Sequence, residues 1–90
     1  MYQIAVCDDD KHFTDILCLK IDRYFKSLSI SIHLHIFTEP AQLLHSSINY
    51  DLYFLDIRMP EINGCELAAS LRNRTNSSDY SLIFVSSMHD

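Results

Sequence analysis

Apolar residues along this 90-residue chain switch between two spacings, and the switches outline its elements. Gln3 to Cys7, with Ile4 to Cys7 continuously apolar, reads as a short buried strand. From about Asp10 to Leu28 the residues Phe13, Ile16, Leu17, Ile21, Tyr24, Phe25 and Leu28 recur at helical spacing, which predicts one long amphipathic helix. Ile30, Ile32, Leu34 and Ile36 then alternate with Ser31, His33 and His35, the period-two signature of a strand with one wet face near a sheet edge. Thr38-Glu39-Pro40 reads as a helix start, with a capping hydroxyl and a proline where no N–H is needed, and a short helix is expected to about Ile48. Asp51 to Asp56, DLYFLD, shows little alternation, as expected of a strand buried on both faces. A loop over 57–63 leads to Gly64, which opens a helix to about Asn73. The polar stretch 74–79 is a surface loop, and Ser81 to Ser86 is a fourth strand.

Strands alternating with helices predict an α/β fold, a parallel sheet covered by helices on both faces. Ninety residues make one small domain. A 48% hydrophobic content with a single Gly favours a globular chain over disorder. The formal net charge of -5 speaks against nucleic-acid binding by this segment, since phosphate backbones need clustered Lys and Arg. Cys7, Cys18 and Cys65 are odd in number and widely spaced, which suits small core residues in a reducing, cytoplasmic setting rather than a disulfide framework. No charged-then-apolar leader opens the chain, and no apolar run approaches the roughly 18 residues of a membrane span. The two Asn-x-Ser/Thr patterns at Asn73 and Asn76 are therefore read as chance.

The chemistry lies where the strands end. Ligands of open parallel sheets bind outside the carboxyl ends of the strands. The first strand delivers Asp8, Asp9 and Asp10 there, the third delivers Asp56, and the fourth delivers Ser86 and Ser87. Two carboxylates about 4 Å apart repel by roughly 4 kcal/mol at an effective dielectric of 20, so either a proton or a cation must intervene. A hard divalent ion suits an all-oxygen set; Mg2+ is the natural occupant, and Mn2+ fits the same ligands. Capping of the following helix explains one acid, and Asp10 suits that role, but it leaves Asp56 unexplained. A carboxylate such as Asp56 can also attack phosphorus to form an aspartyl phosphate. Ser86 could donate its hydroxyl to a phosphoryl oxygen, whereas alternation turns Ser87 away.

On these residues the whole chain resembles the receiver domain of two-component response regulators. The resemblance rests on the acidic pair Asp8-Asp9 after the first strand, LDIRMPEINGCEL around Asp56, and the hydroxyl at Ser86. Within the family, IAVCDDD looks most like receivers of LytTR-type regulators. The resemblance implies a flavodoxin-like, doubly wound sheet of order 2-1-3-4, followed in the family by a fifth strand and closing helix not found within residues 1–90. It implies a phosphoacceptor, not a conventional enzyme, phosphorylated at Asp56 by a sensor histidine kinase or by a small donor such as acetyl phosphate. By the same analogy Asp9 and Asp56 bind Mg2+ directly, Asp8 acts mainly through water, and the backbone carbonyl of Arg58 supplies a further ligand. Ser86 would be the switch hydroxyl. The family's active-site lysine belongs to the fifth strand. DNA would be bound through a separate output domain, and the family's dimer face lies in elements beyond Asp90. The chain thus reads as a C-terminally truncated receiver, with the fourth strand's flank and part of the first helix exposed, and is expected to be weakly stable or to self-associate.

Two alternatives compete. Asp8-x-Asp10 resembles the nucleophile motif of haloacid-dehalogenase-like phosphatases, but that reading leaves Asp56 to Pro60 without a role. A pseudo-receiver would keep the fold without being phosphorylated. Among smaller signals, His33 and His35 share a strand face and are read as solvated rather than as a zinc pair. Pro60 and Gly64 are read as structural, with Gly64 allowing a tight turn into its helix. His12 is read as a solvent-facing first-turn residue and Arg58 as a side chain facing either solvent or a phosphate.

Overall fold

A computed structural model describes residues 1–57, 63–74 and 80–85. In these, strands and helices alternate as β1 (Tyr2–Cys7), α1 (Lys11–Ser27), β2 (Ile32–Phe37), α2 (Pro40–Leu44), β3 (Leu52–Asp56), α3 (Gly64–Arg74) and β4 (Ser81–Val85). The strands form one parallel sheet in the order β2-β1-β3-β4. The predicted α/β fold and strand order are thereby met. The winding reverses beside β1, which has β2 on one side and β3 on the other, and such a reversal opens a crevice at the carboxyl ends of the strands.

The two sheet faces carry separate cores. On one, Ile4, Val6 and Leu52 are buried against Ile21 of α1, with Leu17, Cys18, Phe25, Ile32, Leu34 and Phe54 packed around them. On the other, Ala5, Cys7, Tyr53 and Leu55 lie under Leu43 of α2 and Leu67, Ala68 and Leu71 of α3. Ile4 to Cys7 are all fully buried, as expected of a central strand with helices on both sides. Burying a side chain such as Leu55 contributes roughly 1.5–3 kcal/mol.

Three local readings change. The buried stripe of α1 is narrower than its apolar pattern. Thr14 and Ile21 are buried, whereas Ile16, Leu19, Tyr24 and Leu28 stay exposed. Thr14 is tolerated inside because its hydroxyl donates to the Asp10 carbonyl at 2.9 Å. α2 ends at Leu44 rather than near Ile48, and its N-cap is Glu39, which makes no side-chain cap bond; the expected Thr38 cap is not used. Proline preorganises the first turn of α2. The chain then turns at His45, and the hydroxyl of Ser46 lies 2.8 Å from the Tyr50 phenol. β2 starts at Ile32, leaving Ile30 outside the strand. At the opposite edge, Ile83 and Phe84 of β4 are each 42% exposed.

Candidate functional site

Strand register brings the acids together. Cys7 of β1 pairs with Leu55 of β3, so the next residue on each strand, Asp8 and Asp56, emerges from neighbouring strands at the same level. Both are buried while Asp9 faces solvent. Oxygens of Asp8, Asp9 and Asp56 all lie within 4.8 Å of one another. This is the cluster predicted from the strand ends.

Asp10 does something else. Its Oδ1 accepts the Phe13 amide at 3.1 Å and caps α1. Its own amide donates to Asp8 Oδ1 at 2.9 Å, which holds that carboxylate in place. The helix start therefore orients the acid beside it.

The second oxygen of Asp8 has no such donor. Asp8 Oδ2 is buried and without a hydrogen-bond partner. A buried acceptor left unsatisfied costs on the order of 1–3 kcal/mol, and more when it is charged. Burial pushes the Asp8 carboxyl up to about 6, against the lowering effect of the Asp10 amide, with Asp56 and Asp9 adding to the rise. The same surroundings push the Cys7 thiol up to about 12, by burial first and then by Asp8, Asp56 and Asp9. Three oxygen donors, one orphaned inside and one at the solvent border, fit a hard divalent cation that retains water ligands. Mg2+ and Mn2+ share that donor preference.

The base of the site is set by Gly64. A Cβ there would stand 2.5 Å from the Asp56 carbonyl oxygen and 3.1 Å from its carbon. The Gly64 amide also donates to the Ile57 carbonyl at 3.1 Å. Its φ is not positive, so glycine serves close backbone approach rather than the tight turn expected from the sequence. Asn63, the last residue before α3, caps that helix, its Oδ1 accepting the Glu66 amide at 2.9 Å. Asparagine directly before a helix was the available signal. Ser86, Arg58 and Pro60 lie outside the described residues. Cys65 is exposed, not the core residue expected, while Cys7 is buried and Cys18 partly so. No helix among the described residues is long and apolar enough to cross a membrane.

The fold and cluster have parallels. A response regulator receiver domain model matches residues 4–90. TrrA, a response regulator of Thermotoga maritima solved in complex with Mg2+-BeF, is 27% identical with a TM-score of 0.79, covering 98% of this chain and 71% of TrrA. A two-component transcriptional regulator AraC from Clostridium phytofermentans is 26% identical with a TM-score of 0.76, over 96% of this chain and 64% of that protein. The fold is also shared by DrrB, an OmpR/PhoB homologue of Thermotoga maritima, at 21% identity and a TM-score of 0.72, over all of this chain and 37% of DrrB. No curated protein matches. With a family model spanning nearly its full length, and with two strands delivering their acids to one cluster, the chain belongs to the response regulator receiver domain family.

Proposed function

We propose that this receiver accepts a phosphoryl group on Asp56 in a Mg2+-dependent reaction, the donor being a sensor histidine kinase or a small phosphodonor such as acetyl phosphate. The observation that carries the reading is Asp56 itself, a buried carboxylate at a strand end, with oxygens of Asp8 and Asp9 within 4.8 Å of its own. In the transfer an Asp56 oxygen attacks phosphorus, a P–O bond forms, and the bond to the departing donor group breaks. Asp56 is held for this by β3 and by Gly64 packed on its carbonyl. Asp8 and Asp9, with Asp56 and the Arg58 carbonyl, would hold the cation. When bound, it supplies positive charge against the phosphoryl oxygens, which is where most of the catalysis of such transfers lies.

Ser86 is assigned the switch hydroxyl, moving toward the new phosphoryl group and passing a local charge event to the surface. Transcriptional output from a cytoplasmic regulator completes the proposal, supported by the likeness to the two-component transcriptional regulator of Clostridium phytofermentans. The phosphatase alternative needs Asp10 as a proton donor, whereas its carboxylate caps α1. The test is incubation of the full-length protein with Mg2+ and acetyl phosphate, read by intact mass. A gain of one phosphoryl group that Asp56→Asn abolishes is expected. A gain retained in Asp56→Asn and lost in Asp8→Asn would move the acceptor to Asp8. No gain from acetyl phosphate or a kinase on folded protein would leave a pseudo-receiver.

A further inference from the structure

His33 and His35 were expected to be a solvated face of β2, and only His33 is. His33 is exposed, but His35 is half-buried, with its ring edge-to-face on Tyr50 at 5.0 Å between centroids. The two imidazoles lie 4.4 Å apart and are tilted by 33°. β2 is the edge strand of the sheet, and this face lies beside Gln3 and Ala5 of β1, which pair with His33 and His35. The histidines therefore form a side-chain pair separate from the acids that follow β1 and end β3.

Gln3 decides the chemistry of the pair. His35 Nε2 stands 2.7 Å from Gln3 Oε1, and an amide oxygen can only accept. His35 Nε2 thus carries the proton, and its Nδ1 keeps a lone pair. Metal-bound histidines typically donate their other ring N–H to a carbonyl or carboxylate, which fixes tautomer and ring orientation. Gln3 is in turn anchored by the main chain: its amide donates to Asp51 Oδ2 at 2.8 Å, and its carbonyl accepts the Asp51 amide at 2.8 Å. Burial, and then His33, lower the pKa of His35, which keeps the imidazole neutral and able to ligate.

We propose that His33 and His35 form a chelating site for a borderline divalent transition metal, with Zn2+ as its test ion, and that Gln3 acts as the positioning residue. A single ion at roughly 2.0–2.1 Å from each imidazole nitrogen needs the two nitrogens within about 4 Å. With ring centroids 4.4 Å apart, rotation of the exposed His33 would bring one of its nitrogens within that reach of His35 Nδ1. Water completes the coordination sphere. Ligand type separates this site from the acidic cluster, because imidazole favours Zn2+, Ni2+ and Cu2+ while carboxylates with water favour Mg2+.

The experiment is calorimetric titration of Zn2+ into the full-length protein at saturating Mg2+, with the histidine ring protons followed by NMR. One zinc equivalent should bind and shift the rings of His33 and His35. His33→Gln, at an exposed position that leaves the fold intact, should weaken binding at least about tenfold, as should His35→Gln. Gln3→Met should weaken it about tenfold with an unchanged melting temperature, and Gln3→Glu, which restores an acceptor, should recover it. Affinity unchanged in His33→Gln, zinc binding lost in Asp56→Asn instead, or no bound zinc equivalent would each overturn the proposal.

Discussion

Replacing Asp8 with Asn removes one of two buried charges while keeping the Oδ1 that accepts the Asp10 amide. At the 4.8 Å limit separating the acidic oxygens, two charges repel by about 3 kcal/mol at an effective dielectric of 20. The rise of the Asp8 pKa from 3.8 to about 6, caused first by burial and then by Asp56 and Asp9, corresponds to about 3 kcal/mol. The folded-state pKa lies above the unfolded one, so the fold binds the proton more tightly. Ionised Asp8 therefore destabilises the metal-free protein in full above pH 6, and the penalty fades as the pH falls from 6 toward 4. Urea unfolding in EDTA at pH 8 should show Asp8→Asn more stable than the parent by roughly 1–3 kcal/mol, with the gain gone near pH 4. Adding Mg2+ at pH 8 should reverse the order, because binding to the folded state stabilises the parent and hardly the variant. Equal stability in EDTA at pH 8 would refute the reasoning, since it would mean that another group already neutralises the pair.

The remaining predictions concern the scaffold and the thiols. Gly64→Ala would be favourable by up to about 1 kcal/mol on helix propensity alone, yet the 2.5 Å approach to the Asp56 carbonyl should make it destabilising by roughly 1–3 kcal/mol in urea melts. A stabilised variant would contradict the packing described. Asp10→Ala should cost about 0.5–2 kcal/mol through the lost α1 cap, with phosphorylation of Asp56 by acetyl phosphate retained; loss of phosphorylation in folded protein would restore a chemical role to Asp10. With its pKa at about 12, Cys7 stays a buried thiol at pH 8, so iodoacetamide should modify exposed Cys65 and spare Cys7 in peptide maps. Native-state labelling of Cys7 would show that the site opens.

Much of the molecule is legible in local patterns. The runs 4–7 of β1 and 52–55 of β3 are unbroken apolar stretches at the centre of the sheet, and each is followed directly by the acid that the fold uses, Asp8 or Asp56. Asp10 could be assigned to capping from its place before a helical period, and its bond to the Phe13 amide agrees. The end of α2 was not legible. Apolar spacing continues past Leu44 through Ile48, but the turn at His45 and the Ser46–Tyr50 contact stop the helix. The width of the α1 stripe was missed for a similar reason. Periodicity marks which residues can be buried, and the area of sheet beneath a helix sets how many are.

His33 and His35 show the division most clearly. Their alternation placed them on one face of an edge strand, and the sheet agrees. Nothing in that alternation could reveal that Gln3 and Tyr50, both distant in sequence, would half-bury His35. Gly64 is the same case, since the carbonyl it must not touch belongs to the preceding strand. By itself the sequence determined the order of elements, the acids and their oxygen chemistry, because period, capping and ligand type are properties of residues a few positions apart. Only the tertiary structure decided that Asp8 and Asp56 meet within 4.8 Å of each other with a buried, orphaned oxygen on Asp8, because that depends on the register between two strands separated by two helices and a third strand.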